Sequence, residues 1–301
     1  MEIMEELEVK TSVQDILNNE NKMGDVCTVI LKVNNAKLGV EEKTYNLKLF
    51  GKTFLDWAKN SVFDTTIRYA DYNFGDDFLP VVKNAADTRY KYTFVLFADT
   101  PLFQHKTFLQ IMEYFKMKNL SVLKLTRGYV FETKYLIEIE QLLNPQVQYF
   151  DEEDFITCSS LKQYAMISDI MKNRILSYHM KNGVLFKDPT TTFVDADVQI
   201  GKDTVIEPFC QIYGKTIVES NVKIGSNSKI ENSVICSGAN INGAVISDSL
   251  IEKNVVIEEF AKISNNSKIA QNAKVPPHCI IKNAVVDENC DLKSFMCYVG
   301  E

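Results

Sequence analysis

The sequence predicts an N-terminal α/β domain followed by a left-handed parallel β-helix. From Val194 to Leu292, an aliphatic residue recurs every five or six positions. A mostly small side chain follows four positions after each of these residues. Before this repeat, apolar runs of strand length alternate with segments of helical periodicity, which is typical of α/β proteins.

The repeat places one aliphatic side chain at the same phase of eighteen successive turns. An amphipathic helix would show a period of about 3.6 residues and a simple strand about 2, so neither explains it. In a β-helix each hexapeptide turn forms one side of a triangular prism, and three turns complete a coil. We therefore predict about six coils. The inward residues are Val194, Ile200, Ile206, Ile212, Val218, Ile224, Ile230, Ile235, Ile241, Ile246, Ile251, Ile257, Ile263, Ile269, Val275, Ile281, Val286 and Leu292.

Two groups of residues are expected at the corners of this prism. Small side chains that fit a tight corner are Thr204, Cys210, Thr216, Ser228, Ala239, Ala261, Ser267, Ala273, Cys279 and Cys290. Residues that accept a positive φ are Gly201, Asn221, Gly225, Asn227, Asn254 and Asn265. An isoleucine-rich β-sandwich is the alternative explanation of the pattern.

The first part of the chain reads as strands and helices in alternation. Apolar β-branched runs predict strands at 26–33, 92–97 and 121–125. Apolar residues at helical spacing predict helices at 54–62 and 106–117. A long helix is expected from an N-cap at Ser159 to about Lys181, closed by Gly183. We divide the chain into an extension (1–24), an α/β domain (25–158), a linker helix (159–183) and the β-helix (184–301).

Composition and charge restrict the classes of function. The 301 residues suffice for two domains with separate cores. The net charge of −7 argues against nucleic-acid binding. No apolar run reaches the length of about 18 residues that spans a membrane, and the acidic first residues form no secretory signal. Seven scattered cysteines, among them Cys27, Cys210, Cys279 and Cys290, predict reduced thiols and a cytoplasmic protein.

Asp99 is the residue that most suggests chemistry. It follows the predicted strand 92–97, and the carboxyl ends of such strands hold ligands and metals in open α/β sheets. A carboxylate that caps a helix beginning near Pro101 is the alternative. The acidic run 151–154 is expected to be a solvated loop. The histidines are isolated in sequence and are expected to serve packing or to lie on the surface: His105, His179 and His278.

Several short strings occur in an order that resembles a known family. They are FGKTFL (50–55), FADTPL (97–102), HMKNGV (179–184), DPTTTFVD (188–195), IGKDTVI (200–206) and FAKI (260–263). The family is the bifunctional N-acetylglucosamine-1-phosphate uridylyltransferase and glucosamine-1-phosphate acetyltransferase, which makes UDP-N-acetylglucosamine. The resemblance covers most of residues 26–301, more strongly in the second half. It implies that the α/β domain is nucleotidyltransferase-like, with a Rossmann-like fold.

The resemblance also implies roles for particular residues. Asp99 would bind a catalytic Mg²⁺, and the second metal ligand of the family falls at Ser159. Lys282 and Tyr298 would belong to a remnant of a sugar-phosphate pocket, with ordinary surface residues as the alternative. The family's phosphate-binding arginine falls at Ser264. Its catalytic base, a histidine, falls at Phe295.

Several departures from the family predict a degenerate, truncated relative. Segment 32–39 contains one glycine, whereas a triphosphate loop needs several, together with basic residues. The stretch between Asp99 and Ser159 is too short for the family's sugar-binding strands. Phenylalanine at position 295 cannot accept a proton. The chain ends at Glu301, before the coils that would bind acetyl-CoA, so this cofactor is not expected.

Three hypotheses follow for the function. The first is a protein inactive in both reactions, which serves as a scaffold, a regulatory partner of an active homologue or a binder of sugar nucleotides. The second is a nucleotidyltransferase that uses Asp99 and Mg²⁺. The third is an acyltransferase with another base, such as His278. By analogy with the fold, we also expect a homotrimer, without a nucleic-acid or membrane partner.

Overall fold

The protein folds as two compact units. In this computed structural model the described residues are 23–34, 38–39, 41–73 and 75–300. Most of the predicted extension 1–24 and the centre of segment 32–39 lie outside them. The boundary between the two units along the chain falls between Asp169 and Ile170, inside a long helix. The four-part division of the chain stays a prediction.

The N-terminal unit is built on a six-stranded mixed sheet of order β4-β1-β5-β7-β6-β8. Its strands are β1 Val26–Val33, β4 Thr66–Tyr72, β5 Tyr92–Phe97, β6 Val122–Leu125, β7 Gly128–Glu132 and β8 Gln146–Val147. Strand β1 pairs in parallel with β4 and β5, whereas β7 pairs antiparallel with β5 and β6. Strands β1 and β5 are central and almost wholly buried, which explains their continuous apolar runs. A short antiparallel pair joins β2 Lys48–Leu49 to β3 Lys52–Thr53.

Within the described residues, four helices pack on this sheet, of which the first and third lie at the predicted positions 54–62 and 106–117 and the other two were not predicted. They are α1 Phe54–Ser61, α2 Phe78–Ala85, α3 His105–Met117 and α4 Thr133–Glu138, with 3₁₀ turns at Thr44–Asn46 and Glu152–Phe155. Thr53 and Asp56 form a capping box that begins α1. No helix begins near Pro101, because α3 begins only at His105.

The acidic run 151–154 is not uniformly solvated, which corrects the prediction. Asp154 is fully buried and accepts hydrogen bonds from the side chains of Gln104 and Thr107. Both donors lie at the N-terminus of α3, where the helix dipole favours a negative charge. Asp154 therefore holds the start of this helix in place.

The long helix α5, Leu161–Lys181, begins one residue later than predicted. Ser160 supplies the N-cap, because its hydroxyl accepts a hydrogen bond from the amide of Gln163 at 3.2 Å. Ser159 instead contacts the side chain of Gln163. Near the other end of the helix, His179 is buried, and burial lowers the pKa of its imidazole. None of the helices in the described ranges is long and apolar enough to cross a membrane.

The C-terminal unit is the predicted parallel β-helix of about six coils. Its strands form three parallel sheets, numbered in chain order. The first sheet contains β10 Phe193–Val194, β13 Gln211–Tyr213, β16 Lys229–Glu231, β19 Val245–Ser247, β22 Lys262–Ser264, β25 Ile280–Lys282 and β27 Cys297–Val299. The second contains β11 Gln199–Ile200, β14 Ile217–Val218, β17 Val234–Ile235, β20 Leu250–Ile251, β23 Lys268–Ile269 and β26 Val285–Val286. The third contains β9 Leu185–Phe186, β12 Val205–Ile206, β15 Lys223–Ile224, β18 Asn240–Ile241, β21 Val256–Ile257 and β24 Lys274–Val275.

In-register stacking of the coils builds the core of the β-helix. All the predicted inward aliphatic residues except Leu292 are buried, and Leu292 packs against the same core. In the first sheet, for example, Ile212, Ile230, Ile246, Ile263 and Ile281 align in consecutive strands. The predicted small corner residues are buried as well, apart from the half-buried Cys290. The fold class is therefore confirmed.

The corner positions account for the asparagine and glycine residues of the repeat, and the prediction for the glycines needs one correction. Asn221, Asn227, Asn254 and Asn265 have a positive φ, as predicted. Gly201 and Gly225 do not. Their role is clearance, because a β-carbon at Gly201 would lie 2.5 Å from the amide nitrogen of Ser220 in the next coil, and one at Gly225 would lie 3.0 Å from the carbonyl oxygen of Ile241.

Candidate functional site

Asp99 lies where the sequence places it, at the carboxyl end of β5. The preceding residue, Ala98, still donates its amide to the carbonyl of Leu31 in β1, so the chain leaves the sheet at Asp99. The backbone carbonyl of Asp99 accepts a hydrogen bond of 3.0 Å from Cys158. The residue is only 5% exposed. A carboxylate this deeply buried needs a partner for its charge.

That partner is Arg127, which the sequence reading missed. Its Nε donates to Oδ1 of Asp99 at 3.2 Å, and its Nη2 donates to Oδ2 at 2.7 Å. The guanidinium also lies 4.1 Å from the ring centroid of Phe97, within cation–π distance. Both oxygens of the buried carboxylate are therefore engaged by a fork of two charge-assisted hydrogen bonds.

The backbone places Arg127 beside Asp99 through a tight hairpin. Leu125 pairs with Gly128, so Thr126 and Arg127 form the turn between β6 and β7. Gly128 also pairs with Leu96 of β5. A β-carbon at Gly128 would lie only 2.7 Å from the carbonyl oxygen of Val95, so a glycine is needed for this approach.

These residues do not fit the Mg²⁺ that the family resemblance implies. Both carboxylate oxygens of Asp99 already accept from Arg127. Ser159, at the position of the second ligand, is exposed and contacts Gln163. In the described part of the chain, no group of three or more histidine, cysteine or acidic residues is placed to hold a metal. Asp99 as a metal ligand stays a prediction, and these contacts do not support it.

Cys158 lies close to this ion pair but is not activated. Burial and, to a smaller extent, the negative charge of Asp99 raise the pKa of its thiol to about 11. A thiol with so high a pKa stays protonated near neutral pH and is a poor nucleophile. Cys158 therefore contributes packing rather than reactivity.

Aromatic side chains gather at the same edge of the sheet. Phe97, the last residue of β5, packs against Tyr72 at 5.8 Å and Phe78 at 6.3 Å between ring centroids. Phe78 in turn contacts Tyr129 at 4.7 Å. Tyr72, Phe78 and Tyr129 are half-buried, so part of each ring faces solvent beside Arg127 and Phe97. Burial raises the pKa of the Tyr129 hydroxyl, which stays neutral and able to donate a hydrogen bond.

The second candidate region lies on one corner of the β-helix. Phe295, at the family's base position, stacks on His278 with ring centroids 4.8 Å apart. His278 stacks on Phe260 at 4.9 Å. All three residues have a positive φ of about 60°, a conformation that is rare for bulky side chains. Phe260 is 69% exposed and Phe295 76% exposed. An exposed aromatic stack, which the sequence reading also missed, therefore occupies the position of the base.

Lys282 and Tyr298 do not form a common pocket. Tyr298 pairs with the inward Ile281, packs against the core of the β-helix, and accepts a hydrogen bond from the amide of Lys293 at 3.3 Å. Lys282 follows Ile281 in the strand, so its side chain points to the opposite side of the sheet and is exposed. Ser264, at the family's arginine position, pairs with Lys282 and is nearly buried. Their roles in a sugar-phosphate site stay predictions.

Comparisons with known proteins show which families and proteins this chain is similar to. A family model described as the GMPPB C-terminal domain matches residues 190–298. The bifunctional protein GlmU of Alkaliphilus metalliredigens is 30% identical over 173 residues, 58% of this chain and 38% of GlmU. GlmU of Clostridium botulinum is 35% identical over 149 residues, 50% of this chain and 32% of GlmU. GlmU of Caldanaerobacter subterraneus is 38% identical over 151 residues, 50% and 33% of the two chains.

These relatives confirm the predicted resemblance over about half of the chain. The chain spans only about a third of the length of the curated relatives it matches, between 32% and 38%. A solved structure of a perosamine N-acetyltransferase mutant from Caulobacter crescentus, in complex with CoA and GDP-perosamine, is 12% identical and covers 92% of this chain and 94% of that one. Its TM-score of 0.30 is too low to support a statement about fold or function.

The variant Phe260→Asn tests whether the aromatic stack stabilises the fold. Asparagine adopts a positive φ at lower cost than phenylalanine, which offsets the lost ring contact. We expect the free energy of unfolding, measured by denaturant titration, to change by less than about 1 kcal/mol. In the matched variant Phe260→Leu the unfavourable φ remains and the ring contact is lost, so we expect a loss of about 1 kcal/mol. A loss well above about 1 kcal/mol relative to the wild type in both variants would show that the stack is structural.

Proposed function

We propose that this chain, a relative of GlmU over about half its length, is a binding or scaffold protein that transfers neither an acetyl nor a uridylyl group. Its ligand would be a sugar nucleotide, and its protein partner an active homologue. The observation that carries the proposal is the ring of Phe295, stacked on His278 where the resemblance places a catalytic base. Different residues argue against each of the two family reactions.

Acetyl transfer to an amine needs a general base that removes a proton as the amine attacks the thioester. A hydrocarbon ring has no lone pair for this proton. His278 has one, in the plane of its ring, but it lies within the aromatic stack and not at the family's base position, which is Phe295. Ser264 and Lys282 lie on the adjacent strands without the arginine that would hold a sugar phosphate. The corner therefore presents an aromatic surface in place of a catalytic group.

Uridylyl transfer needs groups that neutralise a triphosphate and orient it. Segment 32–39, where such a loop is expected, contains a single glycine. Asp99, the residue expected to hold the metal, is paired with Arg127. These two features support a site that binds without transferring a nucleotidyl group.

A reducing, cytoplasmic location forms part of the proposal. All seven cysteines have free thiols, and Cys27, Cys158, Cys210 and Cys279 are buried. Buried cysteines that behave as small apolar residues are typical of proteins kept in reducing compartments.

The proposed inactivity is tested by two product assays. We expect no CoA thiol from glucosamine-1-phosphate with acetyl-CoA, and no pyrophosphate from UTP, Mg²⁺ and N-acetylglucosamine-1-phosphate. The reasons are the missing base and the occupied carboxylate. An active bifunctional enzyme of the family is the positive control, and heat-denatured chain gives the background.

Turnover above that background would contradict the proposal, and two variants identify its source. Pyrophosphate release that disappears in Asp99→Asn would indicate a metal-dependent nucleotidyltransferase. Thiol release that disappears in His278→Ala would indicate an acyltransferase with His278 as its base.

We also propose that the β-helix assembles as a homotrimer. Its outer surface exposes Val245 and Ile280, with Lys262 between them in register, and the aromatic rings of Phe260 and Phe295. Exposed apolar patches of this kind commonly mark interaction sites, and closed assemblies of identical chains are the usual way to cover them.

Light scattering coupled to size-exclusion chromatography tests this assembly. We expect a mass three times the chain mass of 34.3 kDa. In the variant Ile280→Lys a charge enters the exposed apolar side, so we expect a shift to the monomer mass, while Lys253→Ala, on another part of the β-helix, should leave the trimer intact. A monomeric wild-type chain at micromolar concentration would contradict the proposed trimer.

A further inference from the structure

We infer that Arg127 takes the place of a divalent cation at Asp99, and that a phosphate-bearing ligand binds this edge of the N-terminal sheet through the guanidinium without a metal. The part about the ligand rests on the proposed binding role. The part about the metal rests only on the geometry of Asp99 and Arg127.

The geometry of the Asp99 carboxylate disfavours a bound metal. A magnesium ion binds a carboxylate oxygen at about 2.0–2.1 Å and gives up its water reluctantly. Both oxygens of Asp99 accept N–H groups of Arg127, at 3.2 and 2.7 Å. A metal would have to displace the guanidinium and leave it without its counter-ion next to the sheet. Because breaking a largely buried charge pair is unfavourable, the arginine holds the site against the ion.

The guanidinium of Arg127 has donors that Asp99 does not engage. Arginine carries five N–H donors in a planar fork, and Asp99 engages two of them. The side chain is 32% exposed, and its guanidinium carbon lies 4.1 Å from the ring centroid of Phe97. Its remaining donors can therefore reach a ligand from solvent with their direction already fixed. A fork of this kind matches the oxygens of a phosphate, which it binds in a bidentate manner.

A carboxylate paired with arginine and one bound to Mg²⁺ differ in net charge. A carboxylate with Mg²⁺ carries a net charge of +1, whereas Asp99 with Arg127 is neutral. The arginine thus offers directed hydrogen bonds with little net attraction for a dianion. It suits a site that holds a phosphate-bearing ligand, and it does not suit one that stabilises the charge of a transferring phosphoryl group. The half-buried rings of Tyr72, Phe78 and Tyr129 supply an apolar wall beside it.

Calorimetric titration with UDP-N-acetylglucosamine as the probe tests the ligand part. We expect the dissociation constant in EDTA and in Mg²⁺ to agree within about twofold. We expect Arg127→Ala to weaken binding at least about tenfold and Arg127→Lys to weaken it less, because lysine keeps the charge but not the fork. The matched control is Arg68→Ala, since Arg68 is also a partly exposed arginine paired with an aspartate, Asp87, whose side chain is 9% exposed. Amide spectra of each variant verify its fold.

Several results would overturn the ligand part. They are an absence of binding by the wild type, binding that requires Mg²⁺, and equal losses in the Arg127 and Arg68 variants. None of them depends on product formation, so they are distinct from a failure of the proposed inactivity.

Paramagnetic broadening by Mn²⁺ tests the metal part without any ligand. We expect the amide signals of Ala98, Asp99 and Thr100 in the wild type to stay sharp as Mn²⁺ is added. Broadening of these signals that disappears in Asp99→Asn would show that a cation binds the carboxylate in spite of Arg127, and would overturn the inference.

Discussion

The fold of the C-terminal unit depends on one constraint, which is that each coil must lie in register on the one before it. Parallel strands are spaced at about 4.8 Å, so whatever occupies one position of a coil touches its equivalent in the next. Aliphatic side chains therefore contact aliphatic side chains through the length of the prism, as Ile246 does with Ile263. The same spacing forbids a β-carbon at Gly201, where the backbone of the next coil lies too close.

The exposed aromatic stack follows from the same register. Phe260, His278 and Phe295 occupy equivalent corners of three consecutive coils, and their centroid distances of 4.9 and 4.8 Å match the strand spacing. Most corners of this kind carry asparagine, for which a positive φ is less costly. The backbone at these corners is strained, and the rings are largely exposed, so burial offsets little of the free-energy cost of the strain. Such strain is found mainly where a surface has a function. It supports a binding role for this side of the β-helix.

Much of this fold could be predicted because its signals are local or periodic. The repeat gave the inward residues down to single positions, and apolar runs gave β1 and β5 with their exact bounds. The aromatic stack could also have been predicted, since the positions 260, 278 and 295 are separated by one coil each. The role of Gly201 could not be predicted, because the sequence does not reveal whether a glycine serves a positive φ or makes room for the backbone of the next coil.

The candidate site in the N-terminal unit was predictable only in part. Asp99 was found from its place after a buried strand, which is a local signal. Its partner was missed because Arg127 is 28 positions away and reaches it only through the register of β5 with β7. A resemblance assigns a role to a position, but the partner of that position depends on which strands lie next to one another in the sheet. The ion pair is therefore where the structure adds most to the interpretation, because it gives Asp99 an internal counter-ion, whereas its role as a metal ligand stays a prediction.

A double-mutant cycle of Asp99→Ala and Arg127→Ala tests this interpretation most directly. If the two side chains form a permanent ion pair, we expect a coupling free energy of about 1–3 kcal/mol in denaturant unfolding, the same with and without Mg²⁺. A coupling near zero, together with a stabilisation by Mg²⁺ that Asp99→Ala abolishes, would contradict it and make Asp99 a metal ligand.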